Sequence, residues 1–467
     1  MVVGESRRWG RAVFRDILVL NIATSLVYSS STENVAVLLT IIWLLCLALL
    51  AAAIFGPPDR GASIFWISFG TMTCLILWAG VQTLRWPVFT FYFSAPTATG
   101  SASDLVLRRD TISVSPADSL WAIPQLATPF VAFLTALMIA RDDKDAVGLI
   151  RRLGVLGGIL AILATLKFVL FRDVAFAGGS PSAGALTGVF VNHNTAATFF
   201  GMVMLILASI CIGDLYLDGR DGGRRGFRGI SLPFNCIGLA FSVFALLLAR
   251  SRGGLASALV GLFVLAIILS LTANRSESVG PRSPLARVDW RILALFLLSL
   301  AGIALLGGRV ARAMFEKGYN DPRFCTWPQM LQLLYDNLLF GTGLANFEAT
   351  FSTYRSASCG IWGTWDKAHN LYIEGFIALG VAFPIVASIV LVMSISVLAR
   401  GLARRRRLRR YVGLGVAACA LCGVHSAFDF SMQIPGVSLY FAVLLGAIVP
   451  LSFGGGVCLT SIVESEQ

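Results

Sequence analysis

About a dozen apolar stretches follow one another through this chain, each near the roughly 20 residues a helix needs to cross a bilayer. They fall at roughly 16–31, 35–55, 62–80, 119–139, 152–171, 195–213, 232–249, 254–272, 291–307, 370–398, 411–428 and 435–453. Inside hydrocarbon every backbone N–H and C=O must find a partner within its own segment, so such stretches become helices. Composition points the same way. The chain is 57% hydrophobic and 13% charged, whereas a soluble domain carries about 25% charged residues. That leaves too little polar surface for a water-exposed exterior. The fold class is therefore all-α: a polytopic transmembrane helical bundle of about 12 spans. Residues 1–307 form the first membrane part with spans one to nine, 308–368 a long loop, and 369–467 the last three spans and the tail.

Orientation follows from the Lys and Arg between spans. With the N-terminus in the cytoplasm, about 24 fall inside and about 12 outside. Six of the outside ones belong to the long loop, where the rule is weak. Lys167 lies near the outer end of its helix, where it can snorkel. Omitting the first span, which carries Asn21, Thr24 and Ser25, would turn Arg404 to Arg407 outward. Arg7, Arg8, Arg11 and Arg15 precede that span without a clear cleavage site, so it is expected to stay as an anchor. Both termini are then cytoplasmic. The net charge of +12 would suggest nucleic acid in a soluble protein. Here the Arg runs lie between apolar stretches and read as stop-transfer charge facing the anionic lipid bilayer, with no nucleic-acid partner.

The long loop, on the outer side, has apolar residues at helical spacing over Trp327 to Leu339 and Leu344 to Tyr354, which predicts two or three short helices against the membrane face. A second outer segment, 81–118, is rich in Ser, Thr and Pro and reads as irregular. Pro384 inside the long tenth span predicts a tilt or kink. Gly154 and Gly158 read as helix packing. Cys419 and Cys422 form a CxxC inside an apolar helix without a second ligand pair, so they act as small hydrophobes. Cys325 and Cys359 share the long loop, where an extracytoplasmic position would allow a disulfide.

Polar chemistry gathers at the outer ends of spans. All three histidines, His193, His369 and His425, fall there, with Asp429, Arg250 and Arg252. Arg250-Ser251-Arg252-Gly253-Gly254 is a tight hairpin holding two cations on the side the charge rule disfavours. A turn with snorkelling arginines is the bland reading. An anionic ligand such as a diphosphate gives the pair a use, because the guanidinium fork suits phosphate. His369-Asn370 stands where the long loop re-enters the membrane. It is either an interfacial cap or, facing the arginines, a base that takes a proton from a hydroxyl. Arg323 and Trp327 share a helix face. They form either a surface Arg on an indole or a sugar-phosphate grip. His193 with Asn194, and His425 with Asp429, either line a polar cleft or serve as interfacial polar residues. Gly341-Thr342-Gly343 is a turn, and a lone GxG does not indicate a nucleotide. The histidines are far apart and lack an acidic cluster with ligand spacing, so no metal site is expected.

The order of these motifs resembles the O-antigen ligase and O-antigen polymerase superfamily of bacterial membrane glycosyltransferases. The resemblance runs from about residue 185 to 395 and rests on Phe190 to Asn194, Ala249 to Gly254, Arg323 with Trp327, Phe340 to Gly343, and Ala368 to Glu374. The ending from His425 to Pro435 is similar to exopolysaccharide-polymerase members. Asn337 stands where a Pro is common before the Gly-x-Gly turn, which bears on loop geometry. The resemblance implies an inner-membrane enzyme that takes a glycan from undecaprenyl diphosphate on the periplasmic side. It implies transfer to a hydroxyl of lipid A–core in a ligase, or of a lipid-linked repeat in a polymerase, without nucleotide sugar, metal or other cofactor. It assigns His369 as base, Arg252 to the diphosphate and Arg323 to substrate. Remote members labelled bicarbonate transporters make anion transport the alternative. A transporter should place ionisable groups near mid-bilayer and use broken helices.

Overall fold

The computed structural model describes residues 2–28, 34–86, 91–95, 105–171, 184–214, 225–273, 322–356, 365–405 and 408–453. Fourteen α-helices lie among them. The first eight are α1 (Val2–Tyr28), α2 (Asn34–Phe55), α3 (Ala62–Thr83), α4 (Pro116–Ile139), α5 (Asp143–Phe171), α6 (His193–Ile212), α7 (Arg225–Leu248) and α8 (Arg252–Ala273). Then come α9 (Pro322–Asp336), α10 (Phe347–Tyr354), α11 (Leu371–Leu379), α12 (Ala382–Arg404), α13 (Arg409–Ser426) and α14 (Pro435–Phe453).

Eight of these helices, α2 to α6, α8, α12 and α14, are long and apolar enough to cross a membrane. The protein is thus a polytopic helical membrane protein, and the described residues account for eight of the predicted dozen spans by length and composition. The stretch 291–307 lies outside the described residues. The apolar part of α7 is the shorter Leu232–Leu248. In α13, Arg409, Arg410 and His425 offset an otherwise apolar run, yet both arginines and the histidine are buried. In α1 the polar residues turn inward: Asn21 is fully buried and donates to the Thr40 carbonyl of α2 at 3.0 Å.

Nearly every residue of α6 is buried, and α13 and α14 pack beside it, so these three form the middle of the bundle. Small residues let the backbones approach. A Cβ on Gly154 would meet Ile210 of α6 at 3.0 Å, and one on Gly158 would meet the Gly238 backbone of α7 at 3.5 Å. The glycines of α5 therefore seat it against both neighbours, as expected.

The tenth span is two helices. It breaks at Gly380, between α11 and α12, rather than kinking at Pro384. Pro384 sits in the first turn of α12, where a missing N–H costs nothing. The break is held by the Gly341 to Gly343 turn. Thr342 N donates to Ile377 O at 2.8 Å and Gly343 N to Ala378 O at 3.0 Å. Gln82 Nε2 donates to Phe340 O at 2.6 Å and Ala378 O at 2.9 Å, and Trp78 Nε1 to Leu379 O at 2.9 Å. The carbonyls that α11 leaves open are thereby satisfied. Gly341 has φ 74°, and a Cβ there would lie 2.4 Å from Ala378 O. Gly341→Ala is therefore expected to destabilise by at least about 1–3 kcal/mol from backbone strain. Chemical unfolding in detergent measures it, and an unchanged midpoint would count against the docking role of this turn.

The segment 81–118 is not wholly irregular. Strands β1 (Phe91–Ala95) and β2 (Leu105–Arg109) pair antiparallel, with Phe91 opposite Arg109. In the long loop, α9 and α10 fall on the two segments with helical spacing. Asn337 ends α9, with its side chain donating to Leu333 O at 2.9 Å and its carbonyl accepting from Gly341 N at 2.9 Å. Cys325 is disulfide-bonded, while Cys359 lies outside the described residues. Cys419 and Cys422 are free.

The two ends of the bundle differ in chemistry. At one end the connections between α4 and α5, α2 and α3, and after α12 bring arginines onto aspartates. Arg11 and Arg15 both reach Asp145 at 2.6 Å, Arg60 reaches Asp143 at 2.9 Å, and Arg405 meets the same Asp143. Several arginines read as lipid-facing charge are thus tied to carboxylates instead. The other end carries the loop helices, the β-hairpin and the three histidines.

Candidate active site

The loop-bearing end holds the sequence candidates, and capping interactions place them. Helix α7 stops at Leu248, and α8 starts at Arg252 after a three-residue turn. Ser251 is buried and its Oγ accepts from Gly254 N at 3.0 Å, which caps α8. A Cβ on Gly254 would lie 2.3 Å from Ala197 Cβ, so only glycine lets α8 start this close to α6. A Cβ on Gly253 would lie 3.3 Å from His425 Nε2. The two glycines thus bring Arg252 beside α6 and α13. Arg252 is half-buried. Arg250 is exposed, has φ 52°, and lays its guanidinium over Gly184.

His369 is set by the next residues. Asn370 Oδ1 accepts from Tyr372 N at 3.0 Å and Ile373 N at 3.1 Å, making it the N-cap of α11. Glu374 Oε2 accepts from Ala368 N at 2.8 Å, and its Oε1 lies 3.5 Å from Lys367 Nζ. With both flanks tied, His369 is held at φ 51°. Among the described residues, three that are not glycine adopt this left-handed backbone: Arg250, Ala345 and His369. Two of the three are candidates for chemistry. Strain of this kind persists only where surrounding structure over-determines it, and it clusters at functional sites.

A buried polar chain joins the two groups. Ser251 Oγ donates to Asn194 Oδ1 at 2.7 Å. Asn194 Nδ2 donates to Asp429 Oδ1 at 3.1 Å. Asp429 Oδ1 stands 3.9 Å from His369 Nδ1, an ion-pair separation beyond hydrogen-bond reach. Ser431 Oγ donates to the other Asp429 oxygen. Burial pushes the Asp429 carboxyl up, but His369, His425 and the Ser431 hydroxyl outweigh it and hold the carboxyl below its ordinary value. The sign follows from linkage. The carboxylate's stabilising contribution is complete above about pH 4, the unfolded value, and is lost as pH falls through the lower folded value. Asp429→Ala leaves Asn194 Nδ2 and Ser431 Oγ without this acceptor, at a cost of about 1–3 kcal/mol per buried group. Thermal unfolding in detergent at neutral pH checks this, and a melting temperature equal to wild type would contradict it.

The remaining candidates are placed as follows. His193 Nδ1 lies 2.9 Å from the Ala249 carbonyl, which can only accept, so that nitrogen carries the proton and steadies the turn before Arg250. Asn194 follows the Asn192 N-cap of α6, which accepts its N–H at 2.8 Å. His425 is buried, with Nδ1 against the Thr198 hydroxyl. Trp327 stacks on Phe428, with centroids 6.5 Å apart. Arg323 is described only by its backbone, in the first turn of α9. His369, Arg250, Arg252, Asn194, His425 and Asp429 thus share one end of the bundle. His193 and Asn370 serve it through turns and caps. Sequence reasoning missed Ser251, Thr198, Glu374 and Ser431. Ser251 and Glu374 were legible as capping residues beside the motif cations. Thr198 and Ser431 are ordinary span-end hydroxyls with no local signal.

No curated protein matches the chain. Residues 237–382 match the family model Wzy_C, described as O-antigen ligase. The match runs from within α7 to the start of α12 and so contains Arg250, Arg252, Arg323, Trp327, His369 and Asn370. His193, Asn194, His425 and Asp429 lie outside it. This stretch of the chain is thus similar to the O-antigen ligase family, a likeness that implies glycosyltransferase-like activity, and the apolar helices mark an integral membrane protein.

Proposed function

We propose that the protein transfers a glycan from undecaprenyl diphosphate to an acceptor hydroxyl at the periplasmic face of the inner membrane, with inversion at the anomeric carbon. The acceptor is lipid A–core in a ligase or a lipid-linked repeat in a polymerase. The observation that carries this reading is the chain from the α8 cap through Asn194 and Asp429 to His369. It puts a cationic helix start and a strained imidazole around one buried carboxylate.

The chemistry is a single displacement. Arg252 holds the diphosphate, with Arg250 and Arg323 adding charge and the positive end of the α8 dipole nearby. His369 Nδ1 faces Asp429, which leaves Nε2 for the acceptor hydroxyl. The hydroxyl oxygen bonds to the anomeric carbon as its proton passes to His369. The bond from that carbon to the diphosphate oxygen breaks, and the diphosphate leaves with the electron pair. Fixed cations lower the barrier because charge grows on the leaving group. Asp429 stabilises the imidazolium that forms. His193, Asn194, His425, Asn370 and Trp327 shape the pocket around the glycan.

The segregation of arginines supports the sidedness, since the ion-paired end carries the basic connections expected in the cytoplasm. The broken tenth span does not favour transport, because Thr342, Gly343, Gln82 and Trp78 take up its freed carbonyls. Proteoliposomes separate the two readings. Glycan appearing on the acceptor without flux of labelled bicarbonate supports transfer; flux without transfer overturns it. In a deletion strain, lipid A–core with no glycan means ligase, and one repeat still attached means polymerase.

A further inference from the structure

No hydrogen bond among the described residues orients the His369 ring through Nδ1. That nitrogen is buried and without a partner there, 3.9 Å from Asp429 Oδ1. The carboxylate is already engaged on both oxygens, by Asn194 and Ser431. The Asn370 cap and Glu374 fix the backbone around His369 but do not touch its side-chain torsions. Two aromatic rings meet the imidazole instead. Trp365 makes a T-shaped contact with it, at 5.5 Å between centroids and 74° between planes. Phe430 makes another, at 5.1 Å and 62°. The two rings come from different parts of the molecule. Trp365 packs on the core that Met330 and Leu333 of α9 form with Phe347 and Phe351 of α10. Phe430 stands between the buried Asp429 and Ser431, just after α13.

We propose that Trp365 and Phe430 are positioning residues that clamp this imidazole, so that Nδ1 faces Asp429 and Nε2 faces the acceptor. The purpose of the clamp rests on the transfer reading; its geometry does not. Aromatic rings favour edge-to-face contact because a positive ring edge meets a negative face. An imidazole held this way from two sides resists the half-turn that exchanges Nδ1 with Cδ2 and Nε2 with Cε1. That half-turn would put a carbon beside the carboxylate and take the lone pair away from the hydroxyl. A carboxylate only accepts, so the clamped neutral ring carries its proton on Nδ1. Nε2 is then free to take the acceptor's proton. A ring that turned freely would be ready for only part of the time. The indole N–H of Trp365 has no hydrogen-bond partner among the described residues, so the ring carries the role. Because the two aromatics sit on different parts, the base is set only where the loop helices meet the bundle.

Two measurements test this. The chain has three histidines, so isotope labels on their ring nitrogens give three imidazoles to resolve by solid-state NMR in proteoliposomes. The one absent in His369→Ala is His369. At alkaline pH, where imidazoles are neutral, the nitrogen shifts read the tautomer. Wild type is expected to carry the His369 proton on Nδ1 alone. Trp365→Leu and Phe430→Leu should each give a mixture of tautomers at His369. His193 and His425 should keep their wild-type signals, which reports an intact fold. A single unchanged tautomer in both variants overturns the proposal, and so does a mixture in wild type. Should Trp365→Leu not fold, Phe430→Leu, on the other side of the ring, decides alone. In transfer, each leucine variant should lower kcat about tenfold, roughly the rate equivalent of one edge-to-face contact. The half-saturating donor concentration should stay unchanged, and Trp365→Phe should recover most of the rate. A rise in that concentration at constant kcat would mean that the rings hold substrate, and overturns the clamp. Should the tautomers behave as expected while wild type moves no glycan, the clamp stands and the transfer reading fails.

Discussion

His369→Ala is expected to lower the transfer rate by about two to four orders of magnitude, the usual worth of a general base. The fold should survive, because the flanking segment is held by neighbours of His369. Asn370 caps α11 and Glu374 ties Ala368, and neither bond uses the imidazole. The loss should appear in kcat at saturating donor, since the proton moves only as the new bond forms. His369→Gly is an informative companion. It removes the imidazole and relieves the left-handed backbone at this position, so a protein more stable than wild type and equally inactive separates chemistry from folding. Near-normal transfer by His369→Ala at equal protein level would remove the base assignment.

Arg252→Ala is the second large effect. Removing one fixed donor to a developing negative charge typically costs about 100- to 1,000-fold. Arg252 is the first residue of α8 and its neighbour Ser251 makes the cap, so the helix start should persist without the guanidinium. Arg252→Lys keeps the charge and loses the fork that meets two phosphate oxygens, and it should recover part of the rate. Binding of free polyprenyl diphosphate should weaken in both variants, but not in His369→Ala. Full recovery by lysine would mean that charge alone is needed. Unchanged binding in both would move the diphosphate away from α8.

The bundle was legible because period and length are local properties. Apolar stretches the size of a bilayer and arginine-rich connections are readable without tertiary structure. Where polarity was spent inside the bundle, the sequence misled. Asn21 lies in a weak apolar stretch yet is buried against Thr40, and Arg409 and Arg410 look like surface charge yet are buried. Pro384 announced a kink, but the break is set by carbonyl bonding from a loop far away in sequence, which no local rule reports. The candidate site divided in the same way. Arg252 and His369 stood out as ionisable residues at span ends. Their connection through Asn194 and Asp429 depends on three segments meeting, and neither Thr198 nor Ser431 carries a signal until they do.

The account stands on one event: an acceptor hydroxyl, deprotonated by His369, attacks the anomeric carbon on the face opposite a diphosphate held by Arg252. Nuclear magnetic resonance of the product from a donor of defined anomeric configuration reads that event directly. The inverted configuration, with one polyprenyl diphosphate freed for each glycan moved, is the expected result. A retained configuration would require a covalent glycosyl–enzyme intermediate and would contradict the account.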